Sequence, residues 1–491
     1  MKKSLRLLSL IICLSLMFTL LGCGHNDNSS AIIYYGVSEK PTSLDPQKAS
    51  TISELMAVRN IYEGLLRINE NGETDLGVAE SYDKQGLTYT FHLRESVWSD
   101  KTNLTAYDFE FAFMRALDPN TNAPNASVLY SIKNAKAINT SGKSIQSLGV
   151  KAQDDRTLVI ELERDDDDFL ETLTNAICMP CNKAFFEQSK GKYGMTADTV
   201  LCNGSYKLTK WNIDDFAMRI AKNGTYSGNY TAKSSAVYFS MNTEKTNYEQ
   251  LKSNSVDLTQ IPASKIDAAE ADGFGVFKAE NVVWTLSLGN GYTDEMKRLI
   301  HSCIVNRWQT ARAQYFTPAK TILPDFFQKN NIKEYATDDI SVIKSSFDKE
   351  MKKNKHTAFP QTTLYYYNSD GTDISKSVAA AMQSVFGAYI NISEVSNLNS
   401  LYIKTVNDEY GMSIYPTVIT SSDISGYFST FNVTHNSGDS IENLQNELFS
   451  KGNLFPIAFT DTVIAYANNL SGIKFDSTNG LIDFAYITKI L

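Results

Sequence analysis

The chain has 491 residues, 42% of them hydrophobic and 21% charged, with 46 Lys and Arg against 55 Asp and Glu and a formal net charge of −9. That length is enough for two or three packed lobes. The acidic balance argues against nucleic acid as a partner and against docking on anionic lipid through a basic patch. No repeat of solenoid length is visible.

Lys2, Lys3 and Arg6 make a positive start, and residues 7–21 are then mostly apolar. The run is shorter than the roughly 20 residues a spanning helix needs. A charged start, a short apolar core and small residues at its end read as a secretory signal over residues 1–22. The ending Leu20-Leu21-Gly22-Cys23 resembles a bacterial lipobox, in which cleavage falls before the cysteine and lipid is attached to it. Cys23 is therefore the expected lipid-attachment residue, and two or more acyl chains there would hold far better than one. Residues 23–30 read as a polar tether. The protein is expected lipid-anchored at the outer face of the bacterial cytoplasmic membrane (cell surface or periplasm), touching the membrane through lipid only. No other segment is apolar enough to span a bilayer.

AIIYYG (31–36) reads as a strand and EKPTSLDP as a turn-rich connector. ISELMAVRNIYEGLLRI reads as a helix leading into a strand, and NENG as a turn. LTYTFHLR alternates, with Leu87, Tyr89, Phe91 and Leu93 on one face and Thr88, Thr90 and His92 on the other. In LTAYDFEFAFMRAL, Thr105 caps a helix with Asp108 three residues on, and Phe109, Ala112, Phe113 and Ala116 face the core. TLVIEL (157–162) is a strand. The run DDDD (165–168) suits a solvated helix start, where carboxylates meet the positive dipole end, better than a calcium site.

NGSYKLTKW (203–211) reads as a turn and a strand, and VVWTLSLG (282–289) as a strand followed by a helix. That helix carries Met296, Leu299, Ile300, Cys303 and Ile304 at core spacing. TTLYYYN, SKSVAAAMQSVFGAYI and INISEV form a β-α-β pattern, with Tyr365 to Tyr367 alternating between core and surface. Strands and helices mix throughout, which indicates an α/β protein with large sheets.

Cleavage and lipidation would leave four thiols, Cys178, Cys181, Cys202 and Cys303. ICMPC is compatible with a redox pair, half a zinc site, one arm of a structural bridge or buried thiols. No thioredoxin-like context surrounds it and no histidine lies close in sequence. Cys303 reads as a packed free thiol. His25, His92, His301, His356 and His435 are scattered, and no G-x-S-x-G, H-E-x-x-H or phosphate-cradling glycine loop is present. The pattern excludes an evident enzyme, metal centre or cofactor.

Six pieces in order carry a resemblance: TSLDPQKAS, NIYEGLLRINENGETDLGVAESY, LTYTFHLRESVWSDKTNLTAYDFEFAFMRALDPNT, SLGVKAQDDRTLVIEL, NKAFFEQSKGKYG and NGSYKLTKW. Together they resemble the extracellular solute-binding proteins, family 5, of oligopeptide-type ABC importers. The match is dense from about residue 41 to 262, thinner to about 420 and partial beyond. It implies a two-lobed periplasmic-binding-protein-like clamp (type II, large cluster C type) with an extra inserted subdomain. Lobe I would hold 31–62, 183–280 and 461–491, the inserted subdomain 63–182, and lobe II 281–460, shortened at its C-terminal end. Two strands crossing between the lobes would act as the hinge.

The implied function is capture of an oligopeptide or related small solute by lobe closure, by a monomer, and delivery to an ABC permease. The same fold also serves other solutes, such as a nickel chelate or a sugar, and degenerate peptide-signal sensors. The resemblance places Ser50, Thr51 and Ile52 on one cleft wall, Asn125 on the inserted subdomain, Trp284 and Thr285 on the hinge strand, and Tyr415, Thr417, Val418, Thr420 and Asp423 on the other wall. Trp284 reads more readily as a plain core aromatic. Thr420 falls where peptide-binding members carry an Asp that pairs with the peptide amine. The ligand is therefore not expected to depend on a free N-terminus, unless Asp423 substitutes. The resemblance also brings the ICMPC segment near VLCNG, implying a bridge from Cys202 to Cys178 or Cys181.

Overall fold

The computed structural model describes residues 31–37, 39–241, 245–308, 316–321, 323–324, 338–367, 369–395, 398–419, 455–476 and 479–490, with single positions between 427 and 447. Cys23, Thr420 and Asp423 lie outside the described residues.

The architecture grows from β1 (Ile32–Gly36), where Ile33 and Tyr35 enter the core and Tyr34 is exposed. β1 runs parallel to strand Ala236–Ser240 on one side and to β2 (Leu258–Ile261) on the other. The same sheet continues through β3 (Gly275–Leu288), β4 (Thr362–Tyr366), β5 (Met412–Val418) and β6 (Phe455–Tyr466). Across it the order is Ile390–Glu394, β4, β5, β3, β6, β2, β1, Ala236–Ser240, Ala217–Lys222 and Tyr206–Lys210.

β3 and β6 pair antiparallel from Gly275 with Tyr466 to Leu286 with Phe455. The C-terminal part of β6 also pairs with β2, and the C-terminal part of β3 with β5. Both strands therefore run through two lobes. Each lobe has its own core. One surrounds Tyr35, Met56, Phe91, Phe109 and Phe239; the other surrounds Trp284, Leu299, Phe347, Met382 and Ile414. A separate antiparallel sheet of Ala79–Gln85, Thr88–Leu93, Thr157–Glu161 and Val150–Asp154 shares the first core.

Local chemistry explains most of these elements. Tyr89, Phe91 and Leu93 are buried on one face of their strand, whereas Leu87 precedes it and is exposed. The helix Ala106–Leu117 starts at a capping box: the Thr105 amide donates to Asp108 Oδ2 at 2.8 Å. Trp98 Nε1 donates to the same oxygen at 3.3 Å, so the cap also fixes a buried tryptophan. In the acidic run, Asp165 pairs with Lys84 at 2.9 Å and the Asp168 amide donates to Asp166 at 3.2 Å, which fits a helix start. Met296, Leu299, Ile300, Cys303 and Ile304 all face inward on the helix Asp294–Trp308. The β-α-β unit forms around the helix Ser369–Phe386, with β4 and Ile390–Glu394 parallel.

The C-terminal segment returns to the first core. The Asn60 side chain donates to Ile482 O at 2.9 Å and accepts from the Phe484 amide at 2.8 Å. Buried Glu63 accepts from Arg94 and from Tyr226 Oη, while Arg67 bonds Asp483. Asn203, from the NGSYK turn, holds the backbone of Glu63 at both its amide and its carbonyl. Gly204 follows because an added Cβ would lie 2.7 Å from the Ile61 carbonyl carbon.

The expected bridge from Cys202 is absent. All four thiols are free and buried. Each has a different neighbour: Cys178 Sγ donates to Thr172 O at 3.5 Å, Cys181 Sγ accepts from Arg115 at 3.4 Å and Cys202 Sγ accepts from the Leu208 amide at 3.4 Å. Burial pushes the Cys181 thiol up to about 11 and Cys202 up to about 12, so neither is a poised nucleophile. Denaturation without reductant is expected to leave peptides bearing Cys178, Cys181, Cys202 and Cys303 fully maleimide-labelled. A mass-mapped linked pair among them contradicts this arrangement.

Candidate functional site

Strand directions define the cleft. β3 leaves the first lobe at the end where β1 and β2 finish, because it is antiparallel to β6, which is antiparallel to β2. β5 returns antiparallel to β3 until Val418 stands opposite Val282, and β4 runs parallel to β5. The carboxyl ends of β1, β4 and β5 therefore converge on the crossing strands. In open α/β sheets ligands bind outside the carboxyl ends of strands. Among the described residues, Val37 and residues 39–51 after β1, Tyr367 after β4 and Ile419 after β5 bound the site.

The first wall is held by one carboxylate. Glu54 is 2% exposed and sits in the first turn of the helix Ile52–Ile61. Its Oε1 accepts from the Thr42 amide at 2.9 Å, Thr42 Oγ1 at 2.8 Å and the Ser43 amide at 3.1 Å. Its Oε2 accepts from the amides of Ser50 at 3.0 Å and Thr51 at 3.2 Å. Thr51 Oγ1 answers by accepting from the Glu54 amide at 3.4 Å, which completes a capping box.

Between those two ends the loop is tied to the inserted subdomain. Arg115 pairs with Asp45 at 2.6 Å and donates to Gln47 Oε1 at 2.6 Å. Gln47 Nε2 donates to the carbonyls of Ile177 and Met179 at 3.1 and 2.9 Å. The Arg115 guanidinium also lies 4.0 Å from the Phe186 ring centre.

The sequence-placed residues divide into those at the cleft and those inside. Ser50 is exposed and Thr51 half-buried on the first wall, whereas Ile52 turns into the core. Tyr415, Thr417 and Val418 are half-buried on β5, and Val418 packs against both cores. Asn125 stands on the inserted subdomain, half-buried, and its carbonyl accepts from the Val128 amide at 3.2 Å. Trp284 and Thr285 are each 1% exposed. Trp284 Nε1 donates to Thr460 Oγ1 at 2.9 Å, and a Cβ added to Gly371 would meet its ring at 3.4 Å. Trp284 and Thr285 are therefore interior, and the core reading of Trp284 holds.

Two further groups follow the strand ends: Glu39, which sequence reasoning passed over, and Tyr367, which it read only as alternating between core and surface. Glu39 follows β1; burial raises its pKa, a hydrogen bond with Thr51 lowers it, and the Glu54 charge raises it. Tyr367 follows β4 in the opposite lobe; burial raises its phenol, and the Glu39 charge adds to that. Glu54 had a legible signal, the Thr-x-x-Glu spacing from Thr51. Glu39 had none beyond its place after a strand. Among the described residues no group of His, Cys, Asp and Glu is set to hold a metal ion.

Two α/β lobes joined by a pair of shared strands, with strand ends facing across a cleft, define a solute-binding clamp. The profile described as "Bacterial extracellular solute-binding proteins, family 5 Middle" matches residues 73–439, most of the chain. The chain belongs to that family, whose members bind solutes and do no catalysis. It is 28% identical over 416 residues to the oligopeptide-binding protein OppA of Bacillus subtilis, across 77% of this chain and 74% of that one. It is 31% identical over 284 residues to the dipeptide-binding protein DppE of the same organism, across 54% of this chain but only 52% of the relative.

The Escherichia coli murein tripeptide-binding protein MppA superposes with TM-score 0.78 at 19% identity, over 94% of this chain and 99% of that one. The unliganded open form of MppA superposes with TM-score 0.58 at 20% identity, over 94% and 97%.

Two substitutions test the wall. Glu54→Ala leaves four backbone amides without their acceptor and is expected to cost about 2–4 kcal/mol in urea unfolding. Arg115→Met leaves the buried Asp45 carboxylate unpaired and is expected to cost about 3–5 kcal/mol by the same measurement.

Proposed function

We propose that the chain is a receptor, lipid-anchored through Cys23 at the outer face of the bacterial cytoplasmic membrane. As a monomer it closes its lobes on an oligopeptide and presents it to the membrane subunits of an ABC importer. One observation carries the clamp: β3 and β6 thread both lobes while the carboxyl ends of β1, β4 and β5 face one another beside them. A ligand touching both walls favours the closed arrangement by its extra contacts there.

The peptide class rests on the relatives, which are described as dipeptide-, oligopeptide- and murein-tripeptide-binding proteins. The residues assigned to the ligand are Ser50 and Thr51 on one wall and Tyr415, Thr417 and Val418 on the other. Thr420 and Asp423 are assigned to the second wall from the sequence alone. Extended peptides held through backbone groups, much as a strand adds to a sheet edge, would give broad specificity.

A tetrapeptide library screened by thermal shift is expected to return binders that raise the melting temperature. The gain is about 2.7 kcal/mol at a hundredfold excess over Kd. Small-angle scattering of the apo and bound protein is expected to show a smaller radius of gyration with ligand. Binders that leave the radius unchanged refute closure. In the native host, Cys23→Ala is expected to move the protein out of the detergent phase, and unchanged partitioning refutes the anchor.

A further inference from the structure

β5 carries a proline, and its register fixes which edge that proline faces. The pairing of β5 with β3 is regular from Val282 opposite Val418 to Leu288 opposite Met412. Just beyond its two ends the bonds join directly opposed residues. The Ile419 amide donates to Asn281 O at 2.7 Å, and the Gly289 amide donates to Gly411 O at 2.8 Å. Bonded and non-bonded pairs alternate along an antiparallel ladder. Ser413, Tyr415 and Thr417 therefore turn their main-chain groups toward β3. Met412, Ile414, Pro416 and Val418 turn theirs toward the opposite edge.

β4 covers that edge only at its start, pairing Leu364 with Met412 and Tyr365 with Ser413. Among the described residues no strand pairs with the edge beyond that point. Burial changes at the same place: Met412, Ser413 and Ile414 are buried, whereas Tyr415, Pro416, Thr417 and Val418 are half-buried. The edge at Pro416 and Val418 thus lies past the carboxyl end of β4, where it borders the cleft.

An open strand edge offers a donor and an acceptor at every second residue. Val418 offers both. Pro416 offers only its carbonyl, and its ring carbon Cδ stands where an amide hydrogen would be. Facing β3, a proline would have broken a ladder bond; facing the cleft, it costs the ladder none.

We propose that Pro416 is a specificity-determining residue that ends the edge of β5 as a ligand-gripping strand. This rests on the reading of the chain as a peptide receptor. The Pro416 carbonyl accepts an N–H of the ligand, and the Val418 amide donates to a ligand carbonyl. In a parallel alignment a single ligand residue makes both bonds. The ligand carbonyl two residues earlier meets the proline ring and receives no bond. This wall therefore reads the ligand main chain at one residue only. It takes peptides whose main chain leaves the strand path there, or whose carbonyl at that point is a poor acceptor.

The probe is the tightest binder from a pooled library of tetra- and pentapeptides. It is resynthesised with each backbone carbonyl in turn replaced by a thiocarbonyl, a weaker acceptor. Affinities are measured by titration calorimetry for wild type and for Pro416→Ala, which restores the N–H. Pro416→Ala is expected to bind the unmodified peptide about two- to tenfold tighter, the contribution of one added hydrogen bond. One thioamide position is expected to leave wild-type affinity unchanged and to cancel the gain in Pro416→Ala. Removal of the ring bulk alone would raise affinity for every analogue alike, so the coupling to one carbonyl reports the donor.

Pro416→Val restores the same N–H with a residue that favours strands, and replaces Pro416→Ala if the latter lowers the melting temperature. Equal affinity of wild type and a variant with native melting temperature overturns the proposal and leaves the receptor intact. So does a gain that is the same for every thioamide analogue. A library from which wild type retains no peptide overturns the receptor reading, and the role of Pro416 with it.

Discussion

Both lobes depend on the antiparallel pairing of β3 with β6. Ala279 pairs with Thr462 and Val282 with Thr460, so Glu280 and Asn281 on β3 oppose Asp461 alone. Two residues against one is a β-bulge, which breaks the ladder locally and bends the strand. The bulge falls between the part of β3 that continues the first lobe and the part that pairs with β5 in the second. The ladder is regular from Gly275 to Ala279 and again from Val282 to Trp284. A second register shift lies between Trp284 and Thr285, inside the second lobe, where packing on both faces leaves little freedom. Residues 280 and 281 are therefore the irregular point of the ladder nearest the boundary between the lobes.

The two walls differ in how they are held. The first is fixed by bonds that gain from charge: five donors on Glu54 at a helix start, where the dipole favours a carboxylate. Arg115 then ties the same loop to the inserted subdomain through Asp45 and Gln47. Such a wall presents Ser50 and Thr51 in one place before any ligand arrives, which lowers the ordering cost of binding. The second wall hangs on the hinge itself. The Ile419 amide donates to Asn281 O at 2.7 Å, and Asn281 Nδ2 reaches Ile419 O at 3.4 Å.

The periodicities in the sequence announced most of the fold. Period-two alternation at Tyr89, Phe91 and Leu93 and helical spacing at Met296 to Ile304 reflect burial of one face, which is a local property. The Thr105 cap is likewise written within four residues. What was not legible depends on long-range register. Trp284 lies on a strand flanked on both sides and roofed by the start of the helix Ser369–Phe386, so its place at the lobe junction does not expose it. Cys178 and Cys202 share one core while Cys181 lies in a separate small cluster, and each sulfur has its own polar partner. Glu39 has no pattern at all. It follows a strand end and is half-buried, which only the folded chain reveals.

In the proposed receptor these features give closure a direction. A ligand seated on the first wall meets groups that are already fixed, so its contacts there contribute affinity with little differential effect on the lobes. Only contacts with the second wall differ between open and closed arrangements, and only differential contacts shift a population. The second wall is bonded to the bulge through Asn281 and Ile419. That wall is thus linked directly to the irregular point of the shared strands. In the proposed receptor, specificity and closure are then separable: the fixed wall meets the ligand in one arrangement, and the wall bonded to Asn281 responds to it.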